Sequence, residues 1–239
     1  MINIETIRVK LKRPGIRILI GTFLVPFMQG TLLFISAGHI NFFRAWCYVV
    51  ISFIGMFGGI AVVSKFDPEL LNQRGLWKEK KGTKGWDKII LRMYVLFGFN
   101  VMPVIAGLDA GRFQWSNLGI YFGITGCVLF ILGAVLIHWA MLVNTHFEAS
   151  VRIQKDRSHR VITTGPYRIV RHPGYIGAIL WGISTPLIIG SAYGLIPGGI
   201  AVILLIIRTS LEDKLLRSEL NGYAEYSKRV RYRLLPGLW

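Results

Sequence analysis

Two stretches of this 239-residue chain concentrate the side chains that could do chemistry. The first, Asn144 to Tyr175, carries Gln154, His159, Arg160, Tyr167, Arg168, Arg171 and His172. The second, Arg208 to Trp239, carries Arg208, Glu212, Asp213, Tyr223 and Tyr226. Gly165-Pro166 is a turn signal: Pro166 fixes its own φ, Gly165 can take a positive one, and the chain reverses before Tyr167. Pro173 suits the first turn of a helix and leaves His172 at its cap. The helix N-terminus formed there presents free backbone N–H groups to a carboxylate or phosphate, with Arg168 and Arg171 reinforcing the attraction. The competing reading is that arginines and tyrosines beside a helix start only anchor it at lipid headgroups. Arg208 and Glu212 are four residues apart and share a face if the helix before them continues. They could form an ordinary salt bridge, or Arg208 could orient an anionic substrate while Glu212 holds a ligand ammonium group. The spacing is compatible with both.

The elements that must position these groups belong to a membrane. Hydrophobic residues make up 53% of the chain and charged residues 17%, against about 25% charged in soluble domains, which excludes an ordinary soluble enzyme and a disordered chain. The net charge of +16 falls between apolar runs and forms no stripe on a soluble face, so anionic lipid explains it better than nucleic acid. Five apolar runs stand out: Ile16 to Gly38, about Ala45 to Ser64, about Ile89 to Leu108, about Leu118 to Val143, and Tyr175 to Ile207. Each of the first four can cross a bilayer once, and the first has no good cleavage site for a signal peptide. The fifth would reach about 50 Å as one straight helix and should break near Gly190, Ser191, Gly194, Pro197 and Gly198 into two short helices, a hairpin that crosses or re-enters. The expected fold is an all-α integral membrane bundle of five to six helices with a C-terminal hairpin and cytoplasmic catalytic segments.

With an even number of crossings, all of the 28 basic residues except Arg44 and Arg112 lie on one side. Both termini and the two polar stretches are then cytoplasmic. The loop Lys65 to Lys88 reads as a solvated excursion in contact with headgroups, and Ile2 to Lys12 as either an interfacial helix or a frayed end. The Gly-xxx-Gly spacings at Gly55/Gly59, Gly119/Gly123 and Gly194/Gly198 are expected to pack helices within the chain. Cys47 and Cys127 lie in apolar runs and offer no disulfide framework or redox pair. The five histidines form no His-Glu-x-x-His motif, and no Gly-x-Ser-x-Gly elbow or nucleotide-binding glycine loop occurs. No metal site is expected.

Taken together, Thr164-Gly165-Pro166-Tyr167, then Val170-Arg171-His172-Pro173-Gly174-Tyr175, and after the hairpin Arg208, Glu212-Asp213 and Tyr223/Tyr226, resemble the isoprenylcysteine carboxyl methyltransferase family. The likeness covers roughly Gln154 to Pro236, and the earlier spans match in hydropathy alone. It implies an integral membrane enzyme that uses S-adenosylmethionine. By position it implies cofactor contacts at Gln154, His159, Arg160, Val161, Ile162, Tyr167, His172, Pro173, Gly174, Tyr175 and Glu212, and a substrate-orienting role for Arg208. Two departures stand out: the Gln154-to-His159 spacing is shorter than in eukaryotic members, and Asp213 stands where a second glutamate is usual.

The implied activity is methyl transfer to a lipophilic acceptor, foremost a carboxylate such as a prenylcysteine-type C-terminus, with membrane lipids as surroundings and no nucleic acid partner. The expected division is residues 1–115 as N-terminal membrane helices and 116–239 as the catalytic subdomain. Membrane sterol and enone reductases that use NADPH resemble the chain in the Arg-His-Pro-x-Tyr run and in Tyr232-Arg233-Leu234-Leu235-Pro236. They tend to carry basic residues at the acidic position after the hairpin, so Glu212 favours methyl transfer.

Overall fold

The computed structural model describes residues 10–239, all-helical among its regular elements. The question of a helix at Ile2 to Lys12 falls, for residues 2–9, outside them, and residues 10–12 are not helical. Five helices are long and apolar enough to cross a membrane: α1 (Arg13–Ala37), α2 (Phe43–Phe66), α4 (Gly85–Phe113), α5 (Ile120–Val143) and α7 (Leu195–Glu219). Between them lie α3 (Pro68–Gly75) and the apolar 17-residue α6 (Pro173–Ile189), and α8 (Tyr223–Arg229) follows α7. The multi-pass membrane architecture expected from the sequence is therefore present. α2 and α4 contain π-helical turns at Phe53–Gly58, Leu96–Val101 and Gly107–Phe113.

The long helices are apolar around their whole circumference because they face both a core and lipid. Ile20, Ile35, Ile54, Tyr121, Val135 and Ile203 point outward and are exposed. Inside, Leu33, Ala45, Tyr48, Phe130 and Ile188 form one buried cluster, and Ile60, Val63, Leu70, Leu71 and Met141 a second nearer the site. Small residues set the closest helix approaches. A Cβ on Gly133 would lie 2.8 Å from the Gly177 carbonyl oxygen, so α5 and α6 meet backbone to backbone. That pair lies outside the four-residue glycine spacings. Of those spacings, Gly55 and Gly59 press on Phe130 and His138, and Gly198 on the Gly182 carbonyl.

The last apolar run breaks as expected but not into two short helices. Gly190 takes φ +95° and ends α6, the turn closes by Gly194, and Pro197 and Gly198 lie inside the first turns of α7. α7 continues for 25 residues, to Glu219. At the far end, Asp109 accepts from the Ser116 and Ser191 hydroxyls and the Tyr193 N–H, pinning the turn to α4. Arg44 donates there to the carbonyls of Leu118, Leu187 and Ile188.

The near end gathers the start of α1, α3, the start of α4, the segment after α5 and the end of α7. Lys12 N–H donates to Asn72 Oδ1, Arg74 to the Phe147 carbonyl, and Lys84 Nζ pairs with Glu219 at 3.0 Å. The Lys65 to Lys88 segment is thus only partly the solvated excursion its charges suggest. Asp67 caps α3 by accepting from Leu70 N–H, Pro68 fills the first helical position, and Leu70, Leu71 and Asn72 are buried.

Candidate active site

A cavity of about 300 Å³ opens at this near end. Its wall is built from the segment after α5, the start of α6 and the C-terminal half of α7, with Tyr223 and Tyr226 from α8, Arg74 from α3, and Leu91 and Tyr94 from α4. Among the residues singled out from the sequence, Gln154, His159, Arg160, Val161, Ile162, Tyr167, His172, Gly174, Tyr175, Arg208 and Glu212 all line it. Pro173 does not; it is the buried first residue of α6 and sets the backbone there.

Local sequence explains how the wall folds. Gly165 takes φ +55°, and Gly165–Arg168 form a 3-10 turn that reverses the chain into Tyr167. Gly174 leaves room for the Phe147 ring, which would lie 2.4 Å from a Cβ there. Tyr167 receives a hydrogen bond from Asn144 Nδ2 on its hydroxyl, and its carbonyl accepts from the Tyr226 hydroxyl at 2.7 Å. Burial pushes the Tyr167 phenol above its ordinary value, so it stays protonated. Gln154 is buried: its Nε2 donates to the His146 carbonyl at 2.7 Å and its Oε1 faces His146 Nδ1 and Arg157 Nη1. His146 and His159 lie 4.7 Å apart by ring centroid. Burial, then the charges of neighbouring His146, Arg152 and Arg157, lowers His159 to about 4.

Arg152 is gripped by Glu148 and Asp156, with contacts of 2.9 and 2.6 Å, and Lys80 reaches both carboxylates. The hydrogen bond from Arg152 holds Asp156 well below the usual carboxylate range.

The adjacent acids of α7 have different surroundings. Asp213 is fully buried and meets Arg171 at 2.7 Å, Arg233 at 3.0 Å, Arg217 at 3.1 Å, the Tyr223 hydroxyl at 3.0 Å and His172 Nε2 at 3.3 Å. Arg171 also donates to the carbonyls of Val230 and Arg231, and the backbone N–H groups of Arg171 and His172 donate to those of Tyr232 and Arg233. The anion-attracting role expected of Arg168 and Arg171 is corrected by these contacts. Arg171 is committed to Asp213, and Arg168 is exposed and off the cavity wall. Glu212, by contrast, faces the cavity and accepts one hydrogen bond, from the Tyr175 hydroxyl at 2.5 Å. No cation pairs with it among the described residues.

Arg208 and Glu212 do share the cavity face but do not pair with each other. Arg208 Nε donates to Asp87 Oδ1 at 2.7 Å, its Nη2 to the Ala149 carbonyl at 2.7 Å, and its guanidinium lies 5.5 Å from the Tyr175 ring centroid. Asp87 is fully buried and also accepts from Val151 N–H. Sequence reasoning missed Asp87 and Arg74. The signals were a lone carboxylate two residues before an apolar run, and Asp67-Pro68 to Gly75 as the bounds of a short helix.

This arrangement gathers a free carboxylate, an oriented arginine and an apolar floor at one membrane face. Residues 125–218 match the Isoprenylcysteine carboxyl methyltransferase (ICMT) family. This segment contains α6, most of α5 and α7, and the wall residues from Gln154 to Glu212, whereas Tyr223 and Tyr226 lie beyond it. The chain is 38% identical over 61 residues to a probable protein-S-isoprenylcysteine O-methyltransferase of Oryza sativa subsp. indica, covering 25% of this chain and 32% of that protein. It is 29% identical over 108 residues to protein-S-isoprenylcysteine O-methyltransferase B of Arabidopsis thaliana, covering 44% and 55%. With the protein-S-isoprenylcysteine O-methyltransferase of Saccharomyces cerevisiae the identity is 30% over 130 residues, covering 51% and 52%. The matched stretches thus span about a third to about half of these relatives' length.

Proposed function

We propose that this protein moves a methyl group from S-adenosylmethionine to the carboxylate of a lipophilic acceptor, with a prenylcysteine-type C-terminus as the acceptor class. The observation that carries the reading is Glu212, a cavity carboxylate that among the described residues holds only the Tyr175 hydroxyl. It suits the donor's ammonium group. The start of α6 and the exposed Arg160 suit the donor's carboxylate, and Val161 and Ile162 give a purine an apolar surface. The phosphates of NADPH would instead meet Glu212 as a like charge. The family match of residues 125–218 points the same way.

When bound, S-adenosylmethionine supplies an electrophilic methyl group, whose C–S bond breaks with its electron pair returning to sulfur as the new C–O bond forms. A carboxylate acceptor is ionised at neutral pH, so no side chain has to remove a proton, and positioning dominates. Arg208 does that positioning. Asp87 and the Ala149 carbonyl fix its Nε and Nη2, and Nη1 remains for an acceptor oxygen. Opposite charges vanish as the groups react, so the water-poor wall of Leu205, Leu216 and Trp181 favours the transition state over the ion pair. Leu91 and Tyr94 extend that wall onto a membrane span, which supports lateral access for a lipid-attached acceptor. In this reading residues 116–239 carry most of the chemistry, with Arg74 and Asp87 completing the site, and the site and both termini face the cytoplasm.

The test is calorimetry on detergent-purified protein with S-adenosylhomocysteine and NADPH side by side. We expect micromolar binding of the first, weakened about 10- to 100-fold in Glu212→Gln, the range for loss of one charge-assisted hydrogen bond of about 1.5–3 kcal/mol. Binding of NADPH alone would overturn the reading.

A further inference from the structure

Two buried side-chain atoms lack a hydrogen-bond partner among the described residues, Arg74 Nε and Ser150 Oγ, and both residues line the same cavity. The other arginines buried in that wall are matched by carboxylates: Arg152 by Glu148 and Asp156, Arg171 by Asp213, and Arg208 by Asp87. Glu148, the nearest carboxylate in sequence to the Phe147 carbonyl that Arg74 holds, is already engaged by Lys80, Arg152 and Arg157. Arg74 makes one hydrogen bond, from Nη1 to the Phe147 carbonyl at 2.8 Å, and stacks on the Phe147 ring at 5.6 Å. No ion pair involves it among the described residues. A guanidinium buried without a counterion is costly, and an incoming anion removes that cost.

We infer that Arg74 is a second acceptor-binding residue, which grips the acceptor carboxylate together with Arg208 while the Ser150 hydroxyl donates to the same group. This rests on the methyl-transfer reading and adds to it a residue from outside the ICMT-matched segment. The acceptor, not the methyl donor, is the source of the carboxylate because of what the two arginines hold. Arg74 takes the carbonyl of Phe147 and Arg208 that of Ala149, so they flank one short stretch of wall, with Ser150 next in line. Two guanidiniums around one carboxylate fix both of its oxygens, which is what an in-line attack on a methyl group requires.

The experiment uses the full chain in lipid nanodiscs, with N-acetyl-S-farnesylcysteine as the acceptor probe and S-adenosylhomocysteine as the donor-site probe. In Arg74→Gln the acceptor KM should rise about tenfold or more, the loss expected for one charge-assisted contact. S-adenosylhomocysteine affinity should stay within about twofold of wild type. Arg74→Lys should recover part of the KM, and Ser150→Ala should raise it about threefold. Unchanged acceptor KM in Arg74→Gln would overturn the inference. So would lost S-adenosylhomocysteine affinity with unchanged acceptor KM, because the carboxylate would then be the donor's. Equal losses of both in Arg74→Gln and Arg74→Lys, with a lower melting temperature and a normal Ser150→Ala, would reduce Arg74 to a prop for Phe147 and also overturn it. If the wild type binds S-adenosylhomocysteine, any of these variant results refutes the Arg74 role alone, whereas a wild type that binds none refutes the methyl-transfer reading and this inference with it.

Discussion

Glu212 and Asp213 are neighbours in sequence with opposite duties, because successive residues of an α-helix point about 100° apart. Glu212 faces the cavity with one hydroxyl partner, and Asp213 faces a buried junction of three arginines, a histidine and a tyrosine. Removing the Asp213 charge leaves Arg171 buried and unpaired, which costs about 3–5 kcal/mol. Asp213→Asn should therefore lower the melting temperature in detergent sharply, and the surviving folded fraction should still bind S-adenosylhomocysteine. A variant as stable as wild type would contradict the structural role. The sequence makes Glu212 legible as a cavity residue through its place in a motif. It cannot reveal the partner of Arg208, because Asp87 is 121 residues upstream and only local spacings can be read from a chain. The same limit explains Arg171: beside a helix start it looks like an anion anchor, yet its partner comes from α7.

The segment after α5 is the element that carries most of the polar wall, and its histidines give it a pH signature. Burial first, then the charges of His146, Arg152 and Arg157, hold His159 down to about 4, against 6.5 for a free imidazole. His146 is shifted the same way, with burial as the main cause and Arg157 and Arg160 adding to it. A histidine kept neutral by the fold contributes stability that is complete above about pH 6.5 and is lost as pH falls through about 4, because the unfolded chain takes up the proton first. Asp156, held low by Arg152, adds to the decline only at the acid end of this window, where the unfolded carboxylate begins to take up its proton. The melting temperature of ligand-free protein should decline from about pH 6.5 towards 4, and His159→Gln should flatten that decline. Parallel profiles for the two proteins would contradict the assignment. At this scale the sequence was partly misleading. The lysines between Lys65 and Lys88 dominate its composition and suggest open solvent, while Asp67-Pro68 and Gly75 mark the half-buried helix that delivers Arg74. Gly75 itself is fixed by packing, since a Cβ there would lie 2.1 Å from the Pro14 carbonyl oxygen.

At the scale of the whole molecule, hydropathy alone marked the spans, because a bilayer thickness imposes a length that few other constraints mimic. The chain break at Gly190 was legible for the same reason: one helix of that length cannot fit. The contact between Gly133 and Gly177 was not, since it joins two helices at positions with no shared spacing. The proposed orientation puts the cavity end, with α3 and the loop after it, in the cytoplasm, and Arg44 and Arg112 outside. A Lys78→Cys variant, made in a Cys47→Ser, Cys127→Ser background, should react with an impermeant maleimide in inverted vesicles and not in right-side-out ones. The opposite pattern would reverse the topology while leaving the site intact. The central claim is methyl transfer to a carboxylate, and the most direct measurement incubates the nanodisc-embedded protein with methyl-labelled S-adenosylmethionine and N-acetyl-S-farnesylcysteine, then treats the product with base. Carboxyl methylation puts label in the lipophilic product that base releases as methanol, lost in Arg208→Ala; label that base does not release, or none in the product, would contradict it.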